Sequence, residues 1–310
     1  MKSAPLTALP RGIIHCPVTP FDAKNRLDLD TFGRAVEFLM RQNPAALCVN
    51  LHLGESLNLW DEERKALANA AINCVAGRAP VIVNVSTPGT DQAVALARHA
   101  EAAGADCLMA ITPYHWKPSQ EAIHAHFAAL MHATRLPMLG YNSPGAMGGV
   151  GFAPETIVRL MTEFPQFIGL KEASHNWETY LALGKAGRSV RPDFGLFVGT
   201  EWMIPCLAMG GRACMSIQGG IAPRLVAKLY ETIVAGDLAA ALPLQEALAE
   251  LYWLAMPEYP ALTKAMWKIM GRPVGDPRLP NRPLSPERVK ELEAALERLG
   301  ILESEPHGWD

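Results

Sequence analysis

A chain of 310 residues is longer than most single domains, yet it lies within the length that an α/β barrel uses as one unit. With 49% hydrophobic and 19% charged residues it can bury a large core, so disorder is expected only at the two ends. The formal net charge is -3 and no run of lysine or arginine occurs, which argues against nucleic acid or an anionic membrane as the main partner.

Short apolar runs rich in Val, Ile, Leu and Cys recur along the chain, each followed by a longer stretch with helical spacing. In order they are GIIHCPV (12–18), ALCVN (46–50), PVIVNVS (80–86), DCLMAIT (106–112), PMLGYN (137–142), QFIGLK (166–171), GLFVGT (195–200) and ACMSIQ (213–218). They are apolar almost throughout rather than alternating, the pattern of parallel strands covered on both faces. Helix signals fill the gaps: Asp61, Glu62 and Glu63 in a first turn with Gly77 beyond its end, a stretch from Asp91 to Gly104, and Pro154 at a first helical position. Eight strand–helix units predict an α/β fold, a TIM (β/α)8 barrel over residues 1–235. The rival is a doubly wound open sheet, but CPVTPFD (16–22) is not the glycine-rich phosphate loop such a sheet carries after its first strand.

The chain continues past the eighth unit. Residues 237–255, 259–271 and 285–300 read as three more helices, with the proline-rich RPVGDPRLPNRPL (272–284) between the last two. They predict a C-terminal helical appendage, 236–310, packed on the barrel, with a frayed end at ESEPHGWD (303–310). No apolar run is long enough to span a bilayer and MKSAPLTALPRG (1–12) lacks the apolar core of a signal peptide, so a cytoplasmic protein is expected. The cysteines at 16, 48, 74, 107, 206 and 214 show no C-x-x-C spacing and read as buried thiols, not disulfides or a zinc site.

Barrel enzymes work at the C-terminal ends of their strands. There the sixth run ends in Lys171, followed at once by Glu172, and the fifth ends in Tyr141 and Asn142. A lysine among apolar walls loses its proton more easily, and the free amine can attack a ketone to give a Schiff base; a nearby tyrosine can then carry protons. Two plainer readings stay open on these residues alone: a solvated lysine after a strand, and a tyrosine that packs. His124 and His126, two apart on a predicted helix, point to different sides and are expected at the surface. His175 is expected to be solvated. Gly210–Gly211 and Gly219–Gly220 suit either a phosphate site or tight packing.

VTPFD (18–22), GES (54–56), ITPYHWKPSQEAIHAHF (111–127), YNSP (141–144) and IGLKEAS (168–174) resemble the dihydrodipicolinate synthase and N-acetylneuraminate lyase family, in order from about residue 11 to about residue 300. The resemblance implies a class I lyase or aldolase, or a hydratase, acting on a 2-oxo acid such as pyruvate and an aldehyde. It also implies no metal or organic cofactor beyond the covalent imine, and a homo-oligomer, tetramer or dimer. It makes Lys171 the Schiff-base lysine and Tyr141 the proton-shuttling tyrosine.

Three departures bear on the substrate. LHLGE (51–55) stands where the family has G-[ST]-T-G-E, so His52 and Leu53 replace two carboxylate-binding hydroxyls. His52 could donate a ring N–H or, protonated, pair with a carboxylate, and the backbone N–H groups of Leu53 and Gly54 are candidate carboxylate donors. His115 stands where the synthases place a second tyrosine, and Ala146 where they place an arginine for the aldehyde carboxylate. Met215 completes the expected substrate-binding set. The departures argue against a true dihydrodipicolinate synthase and for a less polar second pocket near Trp116, Ala146, Met147 and Trp202. A catalytically impaired member that binds or regulates is the alternative; a metal-dependent aldolase would need a histidine–carboxylate cluster that His52 and His115 alone do not make.

Overall fold

The computed structural model describes residues 11–147 and 149–309. Its strands are β1 (Ile14–His15), β2 (Ala46–Val49), β3 (Val81–Asn84), β4 (Cys107–Ile111), β5 (Met138–Asn142), β6 (Phe167–Glu172), β7 (Gly195–Gly199) and β8 (Ala213–Ser216). Each pairs in parallel with the next, and β8 returns to β1, with Ile14 opposite Met215, to close a barrel. Closure excludes the open sheet. Each predicted run contains one strand, because a strand covered by side chains inside and helices outside must be apolar on both faces.

The helices are α1 (Leu29–Arg41), α2 (Asp61–Val75), α3 (Thr90–Ala103), α4 (Gln120–Ala133), α5 (Pro144–Met147), α6 (Pro154–Glu163), α7 (Trp177–Val190), α8 (Met203–Ala208), α9 (Pro223–Val234), α10 (Leu238–Ala255), α11 (Ala261–Ile269), α12 (Pro286–Arg298) and α13 (Ile301–Ser304). Local chemistry sets their ends. Ser119, Asp237 and Ser285 accept from backbone N–H groups of the first turns of α4, α10 and α12, and Gly104 closes α3 at φ 97°. Among the described residues no helix is long and apolar enough to cross a membrane. Residues 1–10, on which the signal-peptide expectation largely rests, lie outside the described residues.

The helices after 235 dock through polar anchors as well as apolar contact. Gln245 of α10 accepts from the Met203 and Ile204 N–H groups and donates to the Glu201 carbonyl, fixing α10 on the loop after β7. Residues 305–309 are pinned, contrary to the frayed tail expected. Glu305 is buried and accepts from the Arg224 and Leu225 N–H groups, Arg272 donates to the Pro306 and Gly308 carbonyls, and Trp309 packs on Trp267 at 6.3 Å. The partners that hold this polar tail are 30 or more residues away in sequence, where local composition carries no trace of them.

His124 and His126 are also corrected: both are buried on α4, His124 against Glu163 at 2.8 Å and His126 against Thr90 at 3.0 Å. They face different helices, as their spacing requires. Of the glycine pairs, Gly219 and Gly220 leave room for the His15 and Trp267 rings, which an added Cβ would meet at 2.0 and 1.8 Å. Close packing explains them.

Candidate active site

Register builds the site. In the β5–β6 ladder Tyr141 lies opposite Lys171, and Asn142 opposite Glu172. Side chains alternate across a strand, so the first pair shares the inner face and the second the outer. Tyr141 and Lys171 accordingly line a cavity of about 410 Å³, whereas Glu172 turns away from it, accepting from Asn142 Nδ2 at 3.0 Å and from the Ser174 N–H at 3.1 Å. The lysine that ends an apolar strand therefore points into a site, and the glutamate beside it belongs to the packing outside. Burial pushes the Glu172 carboxyl above its ordinary value, against those hydrogen bonds.

Lys171 is 7% exposed, with Nζ 4.0 Å from the centroid of the Tyr141 ring, and makes no ion pair among the described residues. Its stem needs the glycine at the end of β7: a Cβ on Gly199 would come within 2.8 Å of Lys171 Cε and 2.5 Å of Ala173 Cβ. The amine is thus held beside a phenol, with no anion fixing it, in a cavity large enough for a small organic molecule.

His52 lines the same cavity. It opens a 3-10 turn, His52–Gly54, after β2, and its Nδ1 lies 3.5 Å from the Tyr141 hydroxyl. Burial pushes the imidazole down to about 3, helped by the positive charges of Lys171 and Arg64. Of the two roles read for His52, this favours the neutral ring, as a partner for the Tyr141 hydroxyl.

Four other sequence candidates do not line the cavity. The Leu53 side chain is buried in the core, which does not bear on its backbone N–H, the donor expected there; the Gly54 N–H is taken by the Leu51 carbonyl at 2.9 Å, so Gly54 is not the carboxylate donor expected. Met215 sits inside β8, fully buried and opposite Gly199, and Ile217 reaches the cavity in its place. His115 lies at φ 78° in the loop after β4, exposed and edge-on to Trp116, so within this chain it completes no relay. Trp116 is 74% exposed and also lies off the cavity, while Ala146 and Met147 line it as expected. Trp202 backs it indirectly by packing on His175 and Tyr252.

Several lining residues escaped the sequence reading. His175, expected in solvent, sits at φ 56° in the cavity wall against Tyr252, with ring centroids 5.6 Å apart. Tyr252, Met256, Tyr259 and Pro260 arrive from α10 and the residues after it, and Pro280 and Asn281 from the proline-rich stretch. The one available signal was the aromatic cluster YWLAMPEY (252–259), which reads equally well as helix packing.

The comparisons agree with this architecture. A model of the dihydrodipicolinate synthetase family matches residues 9–299. The 4-hydroxy-tetrahydrodipicolinate synthase of Bacillus subtilis (strain 168) is 34% identical over 284 residues, covering 91% of this chain and 97% of that protein. The enzyme of the same name from Rhizobium meliloti is 34% identical over 293 residues, 94% of this chain and 99% of that one. Among solved structures, YagE, a prophage protein of the dihydrodipicolinic acid synthase family from E. coli K12 in complex with pyruvate, superimposes with a TM-score of 0.90 at 27% identity, covering 95% of this chain and 100% of that chain. A monomeric dihydrodipicolinate synthase variant gives 0.89 at 29%, covering 94% and 98%. With its family model matched over nearly the whole chain and its barrel closed around a buried lysine and tyrosine, this chain belongs to the dihydrodipicolinate synthetase family of Schiff-base lyases.

Proposed function

We propose that the protein is a Schiff-base aldolase or hydratase acting on pyruvate or a similar 2-oxo acid together with an uncharged or aromatic aldehyde, and that it is not a dihydrodipicolinate synthase. The observation that carries the reading is the Lys171 amine, without an ion-pair partner among the described residues, against the Tyr141 ring in the cavity. The amine adds to the C2 carbonyl of the 2-oxo acid, and loss of water gives the protonated imine. A C3 proton then leaves, the electrons pass into the imine, and the resulting enamine attacks the aldehyde carbon. Cleavage runs the same steps in reverse. Tyr141 is the group placed to move protons, with neutral His52 exchanging a hydrogen bond with its hydroxyl.

The aldehyde preference rests on what lines the rest of the cavity. Ala146, Met147, Tyr252, Met256 and Tyr259 give an apolar and aromatic wall, and among the described lining residues Lys171 is the one lysine or arginine. A carboxylated aldehyde finds no guanidinium fork there. The relatives named as synthases weigh on the other side, since they share about a third of the sequence. The test compares kcat/KM for pyruvate with uncharged, aromatic and carboxylated aldehydes. Preference for an uncharged or aromatic partner, moved toward a carboxylated one by Ala146→Arg, supports the reading; preference for the carboxylated aldehyde in the unaltered protein overturns it. No metal or organic cofactor beyond the imine on Lys171, a cytoplasmic location and a homo-oligomeric state belong to the same proposal.

A further inference from the structure

The second buried lysine sits behind the cavity rim. Lys264 of α11 is 1% exposed, with Nζ 2.7 Å from Glu55 Oε1 and 3.0 Å from the Asp276 carbonyl, and it lies 4.2 Å from the centroid of the Phe21 ring. Glu55 joins two short turns, His52–Gly54 and Ser56–Asn58, and adopts φ 55°, a left-handed conformation that a non-glycine residue keeps only when its surroundings impose it. Its N–H donates to the His52 carbonyl at 2.9 Å. Its Oε2 accepts from the Arg278 N–H at 2.9 Å and from Asn281 Nδ2 at 3.2 Å.

Arg278 fastens the same corner from outside. Its guanidinium grips Glu63 through two hydrogen bonds of 2.7 and 2.9 Å, donates to the carbonyls of Asn58 and Asn25, and lies over the Phe21 ring at 4.2 Å. One carboxylate thus connects the turn that carries His52 to the segment 276–281, whose Pro280 and Asn281 line the cavity.

We propose that Lys264 and Arg278 are positioning residues for the reaction: Lys264 through Glu55, and the Arg278 guanidinium through Glu63 and the Asn58 carbonyl, hold the His52 turn and the 276–281 segment against each other, and so set the His52–Tyr141 contact and the cavity mouth. An apolar pair in place of Lys264 and Glu55 would hold the fold equally well, since burying two charges is costly even when they are paired. Glu55 does what an apolar residue does not: its N–H donates to the His52 carbonyl within the turn while its carboxylate accepts from the 276–281 segment and faces the Lys264 ammonium.

The geometry also gives the joint a pH dependence. Burial pushes the Lys264 ammonium down to about 8, against the pull of Glu55. The groups facing it are Glu55 from the turn after β2, the Asp276 carboxylate and carbonyl from the 276–281 segment, Lys268 from its own helix and the Phe21 ring. Above about pH 8 Lys264 becomes neutral, Glu55 keeps only its neutral donors, and the joint loosens.

The kinetic part of this inference rests on the function proposed above; the test separates the two. The double variant Glu55→Gln/Lys264→Met removes both charges, and Arg278→Lys removes the guanidinium fork from a partly exposed site. Amide hydrogen exchange and KM for pyruvate are followed from pH 6 to 9.5 in both variants and in the unaltered protein. The expected result is faster exchange confined to residues 51–58 and 276–281, KM raised by up to about 100-fold with a smaller change in kcat, and loss from the double variant of an alkaline rise in KM near pH 8. Exchange and KM unchanged in both segments, or exchange accelerated evenly over the barrel, would make the pair structural only and overturn the inference. If the double variant does not fold, Arg278→Lys decides by the same readouts. If the unaltered protein forms no imine with any 2-oxo acid, the proposed function falls, and the exchange pattern still decides whether the joint exists.

Discussion

Lys171 and Lys264 are both nearly fully buried, at 7% and 1% exposure, yet their surroundings differ. Lys264 has a carboxylate, a carbonyl and an aromatic face arranged around its ammonium. Lys171 has the face of Tyr141, no ion-pair partner among the described residues, and a cavity in front of it. The fold surrounds one lysine with partners behind the cavity and leaves the other facing the cavity itself. Burial alone does not make a lysine catalytic; what distinguishes it is a missing counter-ion on the side where substrate can enter.

Replacing each lysine should separate these roles. Lys171→Ala is expected to lower turnover about ten-thousand-fold or more while melting close to the unaltered protein. Lys264→Met should instead lower stability by about 3–5 kcal/mol, because Glu55 would keep a buried charge without its ammonium; denaturant titration of both variants checks the contrast. Tyr141→Phe keeps the ring against Lys171 and removes the hydroxyl, so imine formation should slow and turnover fall about 100- to 10,000-fold, measured by single-turnover kinetics. Gly199→Ala sharpens the same comparison. Its methyl would meet both Ala173 Cβ and Lys171 Cε, so activity should fall about 100-fold as the loop after β6 and the amine shift.

The smallest effect concerns His52. Its native value of about 3 lies below the ordinary 6.5, so between those values the unfolded chain binds the extra proton and this residue's contribution to stability rises with pH. Above pH 6.5 that contribution is flat. An inflection in kcat/KM near 6.5 that vanished in His52→Asn would show that His52 titrates in the working enzyme.

Much of this contrast was legible in the sequence on one side only. Lys171 and Tyr141 end consecutive apolar runs, and parallel pairing in near-equal register brings such residues together without help from the rest of the chain. The eight strands were legible for a related reason, since burial on both faces leaves an unbroken apolar signature. Lys264 sits in YPALTKAMWKIMG (259–271), where a lysine reads as the polar side of an amphipathic helix. Its carboxylate lies more than 200 residues earlier, and only the docking of α11 on the turn after β2 brings them together. The same holds for Tyr252, Met256 and Asn281 in the cavity wall, and for the tail held by Arg272 and Arg224. His52 was legible as a departure from the family pattern, but its neutral state follows from burial beside Lys171.

The central claim is that Lys171, and not Lys264, is the nucleophile. Intact-mass spectra after incubation with pyruvate and borohydride test it directly in the unaltered protein, Lys171→Ala and Lys264→Met. The account requires one pyruvyl adduct on the unaltered protein and on folded Lys264→Met, mapped by peptide digestion to Lys171, and none on Lys171→Ala. An adduct that persists in Lys171→Ala, or no adduct on the unaltered protein with pyruvate or any larger 2-oxo acid, would contradict it.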